Sequence, residues 1–538
     1  MPRGLLWSDR HTWITPGCHL HAILIGLLLV GSILPIWLYR FPPLQDYPGW
    51  LLEAQIVREF NNPAFDFSGH YTITAGPVPN IASTLLICIF ALVAPIEVAG
   101  KLFLSLYMVL YPLSIIYLLR STQHYEISIE LVPIVYLMNW FFFKGMVNYL
   151  YGLSVMFFCI GLFLRNPNLS RSTALVLGAL TIVTFFFHLA PYIILIFALA
   201  SLTLLRFLRG EKPYTNLPCV ALALAPSILL LAAYLILILN ASHSKPVWGV
   251  SSKLVSLLVP FTPFFRYDPF GSNLPLTAIN IFIPLAIVGF ILLSLGERIC
   301  GHDGDLSHHL SPAFPQSPRS IILYPDLAIV ALAILLAALV APTSAGHLSW
   351  IDQRFIYPSL ALLAAALRWK RYQLGSDMAV GILAVLVIGL QWANWAWVSP
   401  KLENIHNLTT LSQSPLRILY TSEVCNMHPY NRLSAGILPA YRIPFYHDLL
   451  VGNFNEGVFD TGLLSQPQSP QGRRGTSYIH LDPLKPFDER LLSGYNSVQI
   501  ITCNSQSAQN LMDQIAKGYH LVGRSEDVYL LQRQKLGK

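Results

Sequence analysis

Charge is what this chain has least of. Among 538 residues only 34 are Lys or Arg and 27 are Asp or Glu, too few to cover a water-soluble protein of this size. With 54% hydrophobic residues and a mean hydropathy of +0.54, the composition excludes a soluble enzyme and describes a polytopic membrane protein. The basic residues lie between apolar runs instead of forming a patch, so the formal charge of +7 reports membrane topology and not a nucleic-acid partner. Cysteine is scarce too: Cys18, Cys88, Cys159, Cys219, Cys300, Cys425 and Cys503 show no CxxC or Cys/His spacing, which excludes the usual zinc modules. The first five sit in or beside apolar segments, as small hydrophobes do. Cys425 and Cys503 lie in a polar region, where a disulfide is open to them if that region is extracytoplasmic. A small-x-small cleavage site after Tyr39 is also missing, so residues 20–39, which follow Arg3 and Arg10, read as a retained anchor.

What is present is a succession of apolar runs from 20 to 398, then a stretch of ordinary polar composition. The division predicts a membrane domain over 1–398 and a soluble domain over 399–538. Spans are expected at 20–39, 101–119, 128–143, 146–164, 173–187, 189–207, 217–239, 275–295, 327–341, 356–367 and 378–398. The run 81–94, bracketed by Pro77, Pro79 and Pro95, falls short of the ~30 Å hydrocarbon core at ~1.5 Å per residue and reads as an interfacial helix. That count of about eleven spans puts the Arg and Lys clusters on one side, which sets the N-terminus inside, the C-terminus outside, and the large first loop, 40–100, outside. The polar loop 299–325, with His302, His308 and His309 near Cys300, Asp303 and Asp305, matches no defined ligand set and reads as a solvated linker. In the soluble part, strands are expected at Arg417–Thr421 and Ser497–Cys503, an amphipathic helix at Ser507–Lys517, and a hairpin turning at Arg524–Asp527, which together make a small α/β domain with a partly exposed sheet.

The stretch Arg40–Phe60 concentrates the scarce charges: Arg40, Asp46, Glu53, Arg58 and Glu59, just where the first span ends. Gln45-Asp46-Tyr47-Pro48-Gly49 opens a predicted helix, and the plain reading is that Asp46 caps it, with Pro48 in the first turn. On a helical wheel Glu53 falls in the middle of the face formed by Trp50, Ala54, Ile56, Val57 and Phe60, where a carboxylate is costly unless it meets protein or a polar cavity. A helix reaching back to Asp46 would place both carboxylates on one side.

Pro42-Pro43-Leu44-Gln45-Asp46-Tyr47-Pro48, the pattern Phe90–Lys101 leading into a span, and the order of parts resemble the GT-C superfamily of integral-membrane glycosyltransferases. The resemblance implies a GT-C-like α-helical polytopic fold of about 11 spans, with a small α/β soluble C-terminal domain. It implies inverting transfer of a sugar from a polyprenyl-phosphate carrier to a glycan, lipid or protein acceptor outside the plasma membrane. Asp46 would then be the catalytic base or would hold a divalent cation, Mg or Mn, and Glu53 would be a second carboxylate. Lys101, Lys144 and Arg354 would be cations for the lipid phosphate. Many members carry a further acidic residue in the turn after the third span, but here that turn is Phe143-Lys144-Gly145-Met146-Val147-Asn148. Either Glu53 or Asp352 substitutes, one carboxylate suffices, or the scaffold is not catalytic.

The remaining candidates have plainer readings beside the functional ones. Lys144 and Arg354 also suit headgroup anchors, His188 a turn histidine bonded to backbone, and Asp352 and Arg354 a local ion pair. Asn139 and Asn148 suit interhelical hydrogen bonds, and Tyr149, Tyr151, Trp392, Trp395 and Trp397 suit interface aromatics, while Trp248 could stack on a sugar. Two other function classes stay open: a lipid-linked sugar transporter or flippase, and a non-catalytic scaffold or glycan-binding protein. The topology has a direct test. A cysteine introduced at Ser469→Cys is expected to react with a membrane-impermeant thiol reagent on intact cells, and protection would contradict eleven spans.

Overall fold

Runs rich in Leu, Ile, Val and Ala make helices wherever they exceed about two turns, and the bundle is built from these. The computed structural model describes residues 16–65, 67–74, 76–122, 127–166, 168–209, 217–238, 324–345, 348–349, 351–367, 374–412, 416–421, 464–465, 477–481, 489–501, 505–515, 518–525 and 528–534. The expected span 275–295, Trp248, the 299–325 loop, Cys300, Cys425 and Cys503 lie outside them. Helices α1 (Pro16–Leu38), α2 (Tyr47–Arg58), α3 (Ile81–Ala91) and α4 (Ile96–Thr122) are followed by α5 (Ile127–Val135), α6 (Trp140–Phe143), α7 (Val147–Arg165), α8 (Arg171–Phe187), α9 (Leu189–Leu208) and α10 (Leu217–Ile238). After the undescribed stretch come α11 (Pro325–Val340), α12 (Ile356–Ala366) and α13 (Leu374–Thr409). Among the described residues six helices, α1, α4, α7, α9, α10 and α13, are long and apolar enough to cross a membrane, which makes this an integral membrane protein.

Three expectations change in detail. The span drawn at 128–143 is broken: α5 stops at Val135, and a turn leads into α6, where Asn139 accepts a hydrogen bond from the Phe142 N–H (3.2 Å) as N-cap. Asn139 is therefore a cap, whereas Asn148 does join two helices, donating through Nδ2 to Oδ1 of Asn80 at the start of α3 (3.0 Å). Helix α12 is an 11-residue piece entered through a 3₁₀ turn, Asp352–Phe355. Helix α3 also has 11 residues, about 16 Å at the α-helical rise; it presents Leu85 and Ile89 outward, and Leu92 and Val93 just after it are exposed too.

Packing is tight where small residues let helices approach. An added Cβ at Gly161 of α7 would lie 2.7 Å from the Tyr117 ring of α4, and one at Gly178 of α8 would lie 3.2 Å from the Ala223 carbonyl of α10. Tyr149 and Tyr151 are buried, not interfacial. The Tyr151 hydroxyl donates to the Phe103 carbonyl (2.6 Å), and its ring stacks between Phe103 and Phe187. Trp392 donates to the Gly31 carbonyl (2.7 Å), pinning α13 to α1. At one end of the bundle Arg120 grips the buried Glu130 with two hydrogen bonds of 2.6 Å, and His21 meets the same carboxylate at 3.0 Å, tying α1, α4 and α5 together.

The C-terminal part holds a five-stranded sheet in the order β6-β4-β7-β9-β8, from β4 (Leu416–Thr421), β6 (Ser477–Leu481), β7 (Ser497–Ile501), β8 (Tyr519–Ser525) and β9 (Val528–Arg533). Strand β4 runs parallel to β6 and β7, while β9 is antiparallel to β7 and β8. Strand alternation gives the sheet two apolar faces. Leu419, Val498, Ile500, Tyr529 and Leu531 pack under α14 (Ser505–Ile515), whereas Ile418, Val528 and Leu530 join the core of the helical bundle. The sheet was expected to be partly exposed. Instead α13 continues eleven residues past the expected end of its span, and its last turns, with Leu402, Ile405 and Leu408, cover the second face.

The contrast between two glycines checks this packing. Gly161→Val should lower stability by about 1–3 kcal/mol through overpacking against Tyr117. Gly389→Ala, where nothing lies within 4 Å, should be neutral or stabilising by up to ~1 kcal/mol. Thermal unfolding in detergent measures both.

Candidate active site

The first loop is drawn into the bundle by its backbone. The Gln45 N–H donates to the Phe143 carbonyl (2.9 Å) and the Asp46 N–H to the Lys144 carbonyl (3.2 Å), so residues 45–46 lie along the α6–α7 turn. Gly145 makes this fit: its φ is +77°, and a Cβ there would sit 2.6 Å from the Asp46 nitrogen. Trp50 closes the join by donating from Nε1 to the Gly145 carbonyl (3.0 Å). Phe41 to Gln45 are all buried, and Asp46 is the half-exposed member.

Asp46 is not a capping residue. It occupies the N-cap position of α2, but its side chain makes no cap hydrogen bond, leaving the carboxylate to other partners. Lys144 is one of its electrostatic neighbours. The ammonium is 5% exposed, donates to Oε1 of Gln45 (3.0 Å) and lies over the Trp140 ring at 5.3 Å. Burial pulls its pKa down to about 8, against the opposing pull of the Asp46 charge.

A second cation lies beyond the first turn of α7. Tyr149 donates from its hydroxyl to the Arg354 carbonyl (2.6 Å), fixing the 3₁₀ turn, and its ring meets His188 edge to face at 5.5 Å. His188 caps α9: its Nδ1 accepts from the Ala190 N–H at 3.0 Å. A neutral imidazole with Nδ1 so occupied carries its proton on Nε2. That nitrogen stands 3.0 Å from Nη1 of Arg354, within hydrogen-bonding distance. Burial and the neighbouring guanidinium hold the His188 pKa well below its ordinary value, and burial lowers that of Arg354 to about 10. His188 and Arg354 are 6% and 7% exposed, and Arg354 Nε is buried with no hydrogen-bond partner. Among the described residues no carboxylate pairs with Arg354. The expected ion pair with Asp352 is not formed, because Asp352 Oδ1 accepts from the Gln353 N–H instead (3.0 Å).

The comparisons with known proteins stand as follows. No family model matches the chain, and no curated protein does. Among solved structures, ArnT from Cupriavidus metallidurans in the apo state is similar at 11% sequence identity and a TM-score of 0.43, covering 96% of this chain and 98% of that one. The same protein bound to undecaprenyl phosphate aligns with the same identity, score and coverage.

The sequence candidates thus divide. Asp46 and Lys144 are brought together, and His188, Arg354 and the buried Asp352 collect around the first turn of α7. Glu53 is fully buried in α2 on the side of α3, where it and burial together push the Cys88 thiol up to about 11. Asp46, the N-cap of α2, has Lys144 as an electrostatic neighbour, whereas Glu53 has Cys88. Lys101 binds the α1 terminus, donating to the Tyr39 carbonyl (2.8 Å). Sequence reasoning missed Gln45, Trp50, Gly145 and Tyr149. Only Gly145 carried a signal, as the lone glycine beside a lone lysine in an aromatic run.

Gly145→Ala combines a positive φ with a backbone clash and is expected to cost about 1–3 kcal/mol. It should also speed proteolysis within 40–60. Unfolding and limited digestion of the purified protein check both.

Proposed function

We propose that the chain is a GT-C-type membrane glycosyltransferase, passing a sugar from a polyprenyl-phosphate donor to an acceptor hydroxyl on the extracytoplasmic side of the plasma membrane. The reading rests on one observation: an uncapped, half-exposed carboxylate, Asp46, meets one buried cation, Lys144, and a second, Arg354, lies without a carboxylate partner at the same end of the bundle. The N-terminus is then cytoplasmic and the C-terminal sheet extracytoplasmic.

The chemistry needs little more. Asp46 takes the proton of the acceptor hydroxyl as its oxygen attacks the anomeric carbon from the face opposite the phosphate, so the configuration inverts. The bond between that carbon and the phosphate oxygen breaks, and its electron pair leaves with the lipid phosphate. Lys144 and the Arg354–His188 pair stabilise the charge gained by the leaving group, a role for which burial and fixed orientation suit them. Asp46 is the residue that could hold Mg or Mn. A lone carboxylate facing an ammonium is a poor donor set for either ion, and among the described residues no three His, Cys, Asp or Glu side chains converge on a common point. The steps above need no metal.

In purified protein supplied with candidate polyprenyl-phosphate sugars, Asp46→Asn is expected to slow transfer by roughly 10²–10⁴, the range of general-base catalysis, with donor binding retained. Unchanged transfer would remove Asp46 from catalysis, and no transfer by the wild type with any donor would favour the scaffold or transporter reading. Affinity for a polyprenyl phosphate should fall as pH rises through about 8, where Lys144 loses its proton. Lys144→Arg should move that fall to higher pH, because arginine stays charged, and Lys144→Met should flatten it.

A further inference from the structure

The segment that carries Asp46 is held from two sides, and only one of them is the bundle. On the other side Phe41, 1% exposed, packs its ring against His406 with centroids 4.9 Å apart. His406 is itself buried and lies on the part of α13 that runs beyond its expected span. This extension belongs to the C-terminal sheet as much as to the bundle. Thr409 donates to Oε1 of Gln499 on β7 (3.4 Å), Leu408 lies against Gly523 of β8, and Gln532 of β9 donates to the Leu411 carbonyl (2.7 Å). The first loop has a second tie to the C-terminal region: β1 (Thr72–Ile73) pairs antiparallel with β5 (Leu464–Ser465).

We propose that the C-terminal sheet sets the position of Asp46 through the α13 extension, with His406 as the positioning residue that transmits it to Phe41. Four residues separate Phe41 from Asp46, all of them buried, and two of the intervening amides are hydrogen-bonded: Leu44 N–H to the Pro42 carbonyl (2.8 Å) and Gln45 N–H to Phe143. Such a strap has little slack, so displacement of the Phe41 ring moves Asp46 relative to Lys144. The effect of His406 is geometric, and the ring matters, not its basicity. The C-terminal domain is on this account part of the site's framework, and whatever binds that domain acts on Asp46 through the Phe41–His406 contact.

The proposal rests on the glycosyltransferase reading for its effect on rate, but the strap itself is measurable without substrate. Amide hydrogen exchange over residues 41–50 is followed in the full-length protein in detergent, for wild type, His406→Ala and His406→Phe. In His406→Ala these amides are expected to exchange roughly two- to tenfold faster, as for loss of one aromatic contact, with α4 and α7 unchanged. His406→Phe restores the ring and should restore protection. Unchanged exchange in His406→Ala, or no rescue by His406→Phe, overturns the proposal. If His406→Ala does not fold, Phe41→Leu removes the same ring contact while keeping apolar volume, and the same rise in exchange is required. Where transfer is measurable, His406→Ala should lower kcat and leave the donor KM unchanged. A raised KM with unchanged kcat would overturn the positioning role. Absence of transfer in the wild type would sink the glycosyltransferase reading and leave the exchange result standing.

Discussion

Two backbone hydrogen bonds, from Gln45 and Asp46 to the carbonyls of Phe143 and Lys144, decide where the chemistry of this chain can be. An extended loop of Pro-Pro-Leu-Gln has no helix of its own to satisfy its amides, and in an apolar protein they must find partners or stay at the surface. They find them on the broken span, where the α5–α6 interruption and the positive φ of Gly145 free carbonyls that an intact helix would have used. The irregularity of one segment thus satisfies the irregularity of another. The meeting brings the half-exposed carboxylate of the first loop to the lysine of the turn.

Around this join the structure gathers buried charge: Lys144 beside Asp46, and Arg354 beside His188. Taking an ammonium or a guanidinium out of water is expensive, and proteins generally offset it with a paired carboxylate. The far end of the bundle does so, with Glu130 clamped between Arg120 and His21. At the other end Lys144 meets an amide oxygen, the Trp140 ring and the Asp46 charge, and Arg354 lies beside His188. The same chain treats its buried ions in two ways.

Much of this arrangement was legible in the sequence because it depends on composition and period. Long apolar runs fixed the helices near their observed limits, α14 and the β8–β9 hairpin lie where amphipathic spacing and turn chemistry put them, and the short run after Asn80 proved a helix too short to span. Asp46, Lys144, His188 and Arg354 stood out because ionisable residues are rare here. What could not be read was long-range pairing. Nothing local marks Gln45 as the acceptor for Lys144 across ninety-nine residues, or Tyr149 as the donor to the Arg354 carbonyl across more than two hundred. Nor does a helical wheel reveal that Lys144 lies near Asp46, the N-cap of the helix, and Cys88 near Glu53. The break at 136–139 was hidden because Tyr, Leu and Met continue the apolar run through a turn.

The shared core of α13 and the C-terminal sheet bears on how such a protein can be dissected or recombined. A fragment cut at the change of composition near Ser399 would begin inside a helix, and a cut after Thr409 would uncover Ile418, Val528 and Leu530 together with the polar Gln499 on one wet face. That fragment would be insoluble or would seek another hydrophobic surface. Exchange of C-terminal domains between related chains would succeed only if the seam is drawn near Leu374, with the whole of α13 travelling with the sheet, and if the incoming helix still offers a ring to Phe41. The helix and the sheet thus form one structural module.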